Sequence, residues 1–125
     1  MPELSLPFWG HRKKVSAFRI VRLEGEGNYT MLYFCDGTRL MVSLTLKKLQ
    51  SRLSPEIFVR LHKKSIVNLL YVKDIRTEKH VTVGLLNGEE IEVSRRKTSS
   101  FLRLLRACQL LIPYRAAASD LMAMN

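Results

Sequence analysis

The sequence predicts a mainly β fold of small antiparallel sheets with a short internal helix and a C-terminal helix. Three observations lead there. Short apolar runs rich in β-branched and aromatic residues recur along the chain, separated by turn residues. Asp36-Gly37 and Asn87-Gly88 each stand between two such runs, and these dipeptides favour the tight turns of β-hairpins. The apolar pattern takes on helical spacing in only two places, around Leu46 and around Phe101.

Taken in order, Leu4, Leu6 and Phe8 alternate before Trp9 and Gly10, which fits a short strand, and Val15 to Phe18 starts the next. Arg19 to Leu23 reads as a strand. Glu24-Gly25-Glu26-Gly27-Asn28 follows, and two glycines with an asparagine predict a turn with unusual backbone angles. Tyr29 to Cys35 is a strand, Asp36-Gly37 its turn, and Thr38 to Ser43 the returning partner. Leu46, Leu49 and Leu53 then share one face of a helix, with Lys47, Lys48, Gln50 and Arg52 on the others. Thr45 or Ser43 caps its start, and Ser54-Pro55 stops it. Phe58 to Leu61 is extended, His62 to Ser65 is a polar interruption, and Ile66 to Leu69 resumes. Tyr71 to Ile75 and His80 to Leu85 are strands. Beyond Asn87-Gly88, Glu89 to Val93 pairs back, with Ile91 and Val93 on one face and Glu90 and Glu92 on the other.

Phe101, Leu104, Leu105, Cys108 and Leu111 or Ile112 form the stripe of the C-terminal helix. Arg103, Arg106 and Gln109 ride outside it, and Pro113 ends it. The sum is about seven or eight strands and two helices, each helix covering an apolar sheet face. Phe34, Phe58, Ile66, Val67, Ile75 and Val93 are the expected core.

A chain of 125 residues, 46% hydrophobic, fits one domain with its own core. The longest apolar runs are too short to span a bilayer and the N-terminus lacks a signal pattern, so no membrane insertion and a cytoplasmic location are expected. Cys35 and Cys108 read as buried thiols, with a disulfide between them possible but not required. His11, His62 and His80 are scattered and have no metal-ligand companions, so neither a metal nor a cofactor is expected. Glu24-Gly25-Glu26-Gly27 lacks the helix and Lys-Ser/Thr of a phosphate loop, and His62 has no orienting partner in local sequence. The chain is therefore not expected to be an enzyme.

The net charge of +10, from 21 Lys and Arg against 11 Asp and Glu, favours a polyanionic partner. The basic residues gather in His11-Arg12-Lys13-Lys14, Lys47-Lys48, His62-Lys63-Lys64 and Arg95-Arg96-Lys97, which look like charged loops and helix ends on a folded body. Composition alone leaves duplex DNA, RNA and a protein scaffold open.

Three segments narrow the choice: Ile20 to Thr30, Phe58 to Asn68, and Asn87 to Arg96. In this order and spacing they resemble the LytTR DNA-binding domain family, over roughly residues 12–106. The resemblance implies an elongated stack of small antiparallel β-sheets, here in a stand-alone member without a receiver domain. It divides the chain into a lead-in segment (1–11), the LytTR-like domain (12–108), and a C-terminal helix end and tail (109–125). It further implies a bacterial transcription regulator that binds double-stranded DNA through inter-strand loops in successive major grooves, at paired direct repeats, with bending of the duplex. A separate sensor or membrane partner would supply the input. The protein would be a monomer or weak dimer, with two copies on paired sites. A small RNA-binding β-domain, or a degenerate scaffold for protein contacts, are the competing readings.

Carried over residue by residue, the base-contacting positions of the family fall at Asn28 or Tyr29, at Lys63 and at Arg96. Arg96 would fork onto guanine O6 and N7, or else be an ordinary solvated arginine after a strand. Lys63 would take guanine or a phosphate. Asn28 would pair with adenine or serve a left-handed turn, and Tyr29 would face DNA or be a core aromatic at the strand start. His62 is read as partly buried, structural or phosphate-contacting. Lys64, Arg95 and Lys97 would grip phosphates, and Lys47 and Lys48 would do so from the helix exterior unless they are an ordinary solvated face. Tyr29 replaces a histidine found in relatives, and Lys63 a shorter amide of some members, so the target sequence is not transferable.

Overall fold

The computed structural model describes residues 3–8, 11–77 and 79–107. Ten strands form three antiparallel sheets. Strands β1 (Glu3–Phe8) and β2 (His11–Ser16) make a two-stranded ribbon. The central sheet has the order β5-β4-β3-β7-β6, built from β3 (Ile20–Glu26), β4 (Tyr29–Phe34), β5 (Arg39–Val42), β6 (Phe58–His62) and β7 (Ser65–Asn68). The third sheet pairs β8 (Val72–Arg76), β9 (Thr82–Leu85) and β10 (Glu90–Glu92) in the order β10-β9-β8. Helix α1 is Leu46–Gln50 and α2 is Thr98–Ala107.

The central sheet is the middle layer. On one face Leu23, Leu32 and Ile66 pack with Leu4 and Leu6 of the ribbon and with Leu46 and Leu49 of α1. On the other, Val21, Leu61 and Val67 pack with Val83 and Leu85 of the third sheet and with Phe101 of α2. Strand β7 is buried at all four positions. Its Ile66 and Val67 point to opposite faces and are both apolar, as a strand covered on both sides requires. Asn68, fully buried, is satisfied through its side chain. Its amide nitrogen donates to the Ile20 carbonyl (2.8 Å), and its amide oxygen accepts from the Leu70 N–H (2.9 Å).

A partly buried ion pair joins two sheets. Arg22, on β3, is 8% exposed and donates to the Glu89 carboxylate through Nε (3.0 Å) and Nη2 (2.7 Å). Its guanidinium lies 3.7 Å from the centroid of the Tyr33 ring. Desolvation pushes the Glu89 carboxyl up, but hydrogen bonds from Arg22 and Asn87 and the charge of Arg22 outweigh it, leaving Glu89 below the ordinary carboxylate range.

The structure corrects several expectations. Among the described residues there are ten strands rather than seven or eight, and one of them is His11–Ser16, whose Arg12, Lys13 and Lys14 are exposed on a ribbon that needs only part of its surface to be apolar. Strand β3 continues through Glu26, so the turn shrinks to Gly27-Asn28, with the left-handed backbone at Gly27 (φ 64°). The polar interruption shrinks to Lys63-Lys64, since His62 and Ser65 pair as strand residues. Helix α1 spans only five residues, and Leu53 completes its apolar face from the following turn. The Thr45 side chain, rather than Ser43, caps it, accepting from the Lys48 N–H at 3.3 Å. Among the expected core residues, Phe34 and Ile75 are only partly buried, while Phe58, Ile66, Val67 and Val93 are buried. Cys35 is buried as expected. Cys108, Gln109, Leu111, Ile112, Pro113 and the tail lie outside the described residues, as do the side chains of Leu104, Leu105 and Arg106.

Candidate nucleic-acid interface

One end of the central sheet gathers three turns and the start of α1. Strands β3 and β7 are antiparallel neighbours with Glu24 opposite Ser65. The end of one and the beginning of the other therefore lie together. The hairpin tips Gly27-Asn28 and Lys63-Lys64 emerge at that same end, and the Gly25 N–H donates to the Lys64 carbonyl at 2.8 Å. Strand β5 finishes there too, with Val42 opposite Thr30, and the Thr30 hydroxyl donates to the Leu44 carbonyl (2.8 Å) on the way into α1.

The third turn is attached through a bulge. The pairing of β6 with β7 steps from Arg60 opposite Ile66 to His62 opposite Ser65, and Leu61 is passed over. The Leu61 carbonyl instead accepts from the Ser94 N–H at 2.9 Å. This contact sets the 3-10 turn Arg95–Lys97 beside the Lys63 hairpin. Between them lies a cleft of about 640 Å³ lined by Gln50, Arg60, His62, Lys63, Ser94, Arg96 and Lys97. Among the described residues no carboxylate lines it, so it favours an anion.

His62, Lys63, Arg96 and Lys97 thus share one cleft. Asn28 and Tyr29 sit on the neighbouring hairpin, while Lys64 and Arg95 are exposed on the two turns and Lys47 and Lys48 on α1. Tyr29 is 52% exposed, which overturns its reading as a core aromatic. His62 is half-buried, and its Nδ1 accepts from the Lys64 N–H at 3.1 Å. The neutral ring therefore carries its proton on Nε2.

Sequence reasoning passed over Arg60 and Arg22. Arg60 hydrogen-bonds to His62, Lys63 and Gln50 around the second hairpin. Arg22 reaches Glu89, next to the turn that returns the chain into β10 and the third turn. A basic residue within an apolar strand gives no local sign of its partner. Among the described residues no helix is long and apolar enough to cross a membrane.

A model of the LytTr DNA-binding domain matches residues 11–106. The chain is 34% identical over 89 residues to RcoM 1, a heme-containing CO-sensing transcriptional regulator of Paraburkholderia xenovorans (strain LB400). It is 33% identical over 89 residues to RcoM 2 of the same strain, described in the same words. Each alignment covers 69% of this chain and 33% of the relative, so the chain spans about a third of the length of these curated proteins. Among solved structures, the LytTr DNA-binding domain of a methyl-accepting/DNA response regulator from Bacillus cereus is similar in fold. Its TM-score is 0.70 at 23% identity, with 84% of this chain and 97% of that one covered.

Proposed function

We propose that this chain, which belongs to the LytTR DNA-binding domain family, reads duplex DNA sequence-specifically as a bacterial transcription regulator. The observation that carries this reading is the sheet end where two hydrogen-bonded turns, one carrying Lys63 and the other Arg96 and Lys97, present cations around one cleft, with the Gly27-Asn28 hairpin beside them. Arg96 forks onto a guanine in the major groove, and Lys63 contacts a base or phosphate from the adjacent hairpin. Asn28 and Tyr29 meet the duplex from the first hairpin. Lys64, Arg95 and Lys97 neutralise phosphates, with Lys47 and Lys48 adding to this from α1. His62 offers its Nε2 proton to a phosphate. On this reading the inter-strand loops enter successive major grooves on one face of a duplex. Two copies then occupy paired direct repeats in a promoter, in the cytoplasm. A separate sensor or membrane partner sets their activity.

The deciding experiment is selection of bound duplexes from a random library at near-physiological salt, with excess nonspecific DNA and structured RNA present. The expected result is a directional, repeated motif that Arg96→Ala abolishes. Weak, motif-free binding that salt removes would overturn the sequence-specific reading. Preferential recovery of the RNA competitor would establish an RNA-binding β-domain instead.

A further inference from the structure

We propose that Arg60 is the positioning residue of the second DNA-reading loop, holding the Lys63 backbone in its binding geometry and coupling it to helix α1. The inference rests on the duplex-reading function proposed above. Arg60 lies on β6 just before the bulge, and three of its nitrogens serve three acceptors on two elements. Nε donates to the His62 carbonyl (3.1 Å), Nη2 to the Lys63 carbonyl, and Nη1 to the Gln50 side-chain oxygen (3.0 Å). The loop is also held on its far side, where the Lys64 carbonyl accepts from the Gly25 N–H and the Lys64 N–H is taken by His62 Nδ1.

This arrangement differs from that of a phosphate contact. Lys63 and Lys64 are exposed at the loop tip, whereas Arg60 is half-buried behind them with its fork turned onto backbone oxygens. A planar guanidinium spreads its donors over three nitrogens in a fixed fork that spans two neighbouring carbonyls and a side-chain amide, whereas an ammonium group gathers its three donors on one nitrogen and lacks that reach. Fixing the backbone of a reading loop before binding removes an ordering cost that would otherwise fall on the specific complex. The bulge serves the same end. It displaces Leu61 from the ladder, and the Leu61 carbonyl ties the third turn to this loop. Helix α1, the second loop and the third turn are thereby joined through two adjacent residues of β6.

The test compares binding of a selected operator with that of a scrambled duplex for the full chain carrying Arg60→Lys, Arg60→Met, Gln50→Ala or Arg96→Ala. Arg60→Lys keeps the charge and loses the fork. It is expected to lower the preference for operator over scrambled DNA by about tenfold, with binding to scrambled DNA and the salt slope unchanged. Gln50→Ala, at an exposed helix position, is expected to shift preference in the same direction by less, and it keeps the test informative should Arg60 variants fold poorly. Without DNA, Arg60→Lys should speed amide exchange at Lys64 and Ser65. An unchanged preference in Arg60→Lys, with Arg96→Ala still abolishing it, would sink the role of Arg60 alone. A uniform loss on all sequences in Arg60→Met, with a reduced salt slope and a normal Arg60→Lys, would make Arg60 a phosphate contact instead. A wild type with no preference for any duplex would sink the reading function and this inference together.

Discussion

Arg96 and Lys64 carry the same charge and are both exposed, yet they should fail differently when removed. Arg96→Ala is expected to cost about 1–3 kcal/mol on the operator and little on scrambled DNA, because a forked contact to guanine discriminates bases. Lys64→Ala should weaken both duplexes alike and reduce the salt slope by about one unit, because a phosphate contact releases counterions without reading sequence. Titrations of both variants on both duplexes at several salt concentrations separate the two, and equal behaviour would contradict the assignment. The exposure of Lys63 and Arg96 was legible because basic residues at a strand end or hairpin tip face outward by local geometry. That of Tyr29 was not. An aromatic at the start of a strand can face either side, and only the pairing of β4 shows Thr30 turned inward and Tyr29 outward. Arg22 was hidden for another reason, since its partner Glu89 stands 67 positions away.

The hairpins of the central and third sheets were legible from Asp36-Gly37 and Asn87-Gly88, since glycine at a positive φ (87° at Gly37, 91° at Gly88) is what those turns need. Strand β2 was masked by its cations, and α1 was overlong in prospect because Leu53 continues the helical spacing from a turn. At this scale the Arg22–Glu89 pair matters most, because it fastens the β9–β10 turn to β3. Glu89 has a depressed pKa in the fold, so it contributes stability fully above its ordinary unfolded value, and that contribution is lost as pH falls through the folded value. Glu89→Gln should therefore lower stability at neutral pH by about 1–2 kcal/mol, a modest figure because the carboxylate is partly solvated. The deficit should vanish at acid pH, where wild-type Glu89 is protonated too. Denaturant titrations at neutral and acid pH check this, and a deficit independent of pH would mean that the pair acts through packing alone. Gly27→Ala makes a separate point. It forces a side chain into left-handed backbone with open space around it, so strain alone should cost about 1 kcal/mol, readable as a shift in the unfolding midpoint.

Among the described residues, carboxylates and cations are interleaved on the third sheet, where Glu90 pairs with Arg76 and Glu92 lies 3.7 Å from His80. At the far end of the central sheet the turns and α1 carry Lys47, Lys48, Lys63, Lys64, Arg95, Arg96 and Lys97, with Glu26 at the base of the first hairpin. On the proposed reading, this sheet end would steer a polyanion toward the turns before contacts to bases form. If Lys47, Lys48, Lys64, Arg95 and Lys97 each neutralise one phosphate, log K should fall against log salt with a slope of about −4.5 on B-form DNA. The same charges attract RNA, but shape separates the two. The tips need a groove open enough to admit them, and the major groove of A-form RNA is deep and narrow. A duplex RNA of operator sequence should therefore show comparable salt dependence but no preference over scrambled RNA, and Arg96→Ala should leave its affinity nearly unchanged. Competition between DNA and RNA duplexes of the same sequence, at two salt concentrations, makes the comparison. A sequence preference retained on RNA would mean that the loops read a feature common to both helices and not the open major groove.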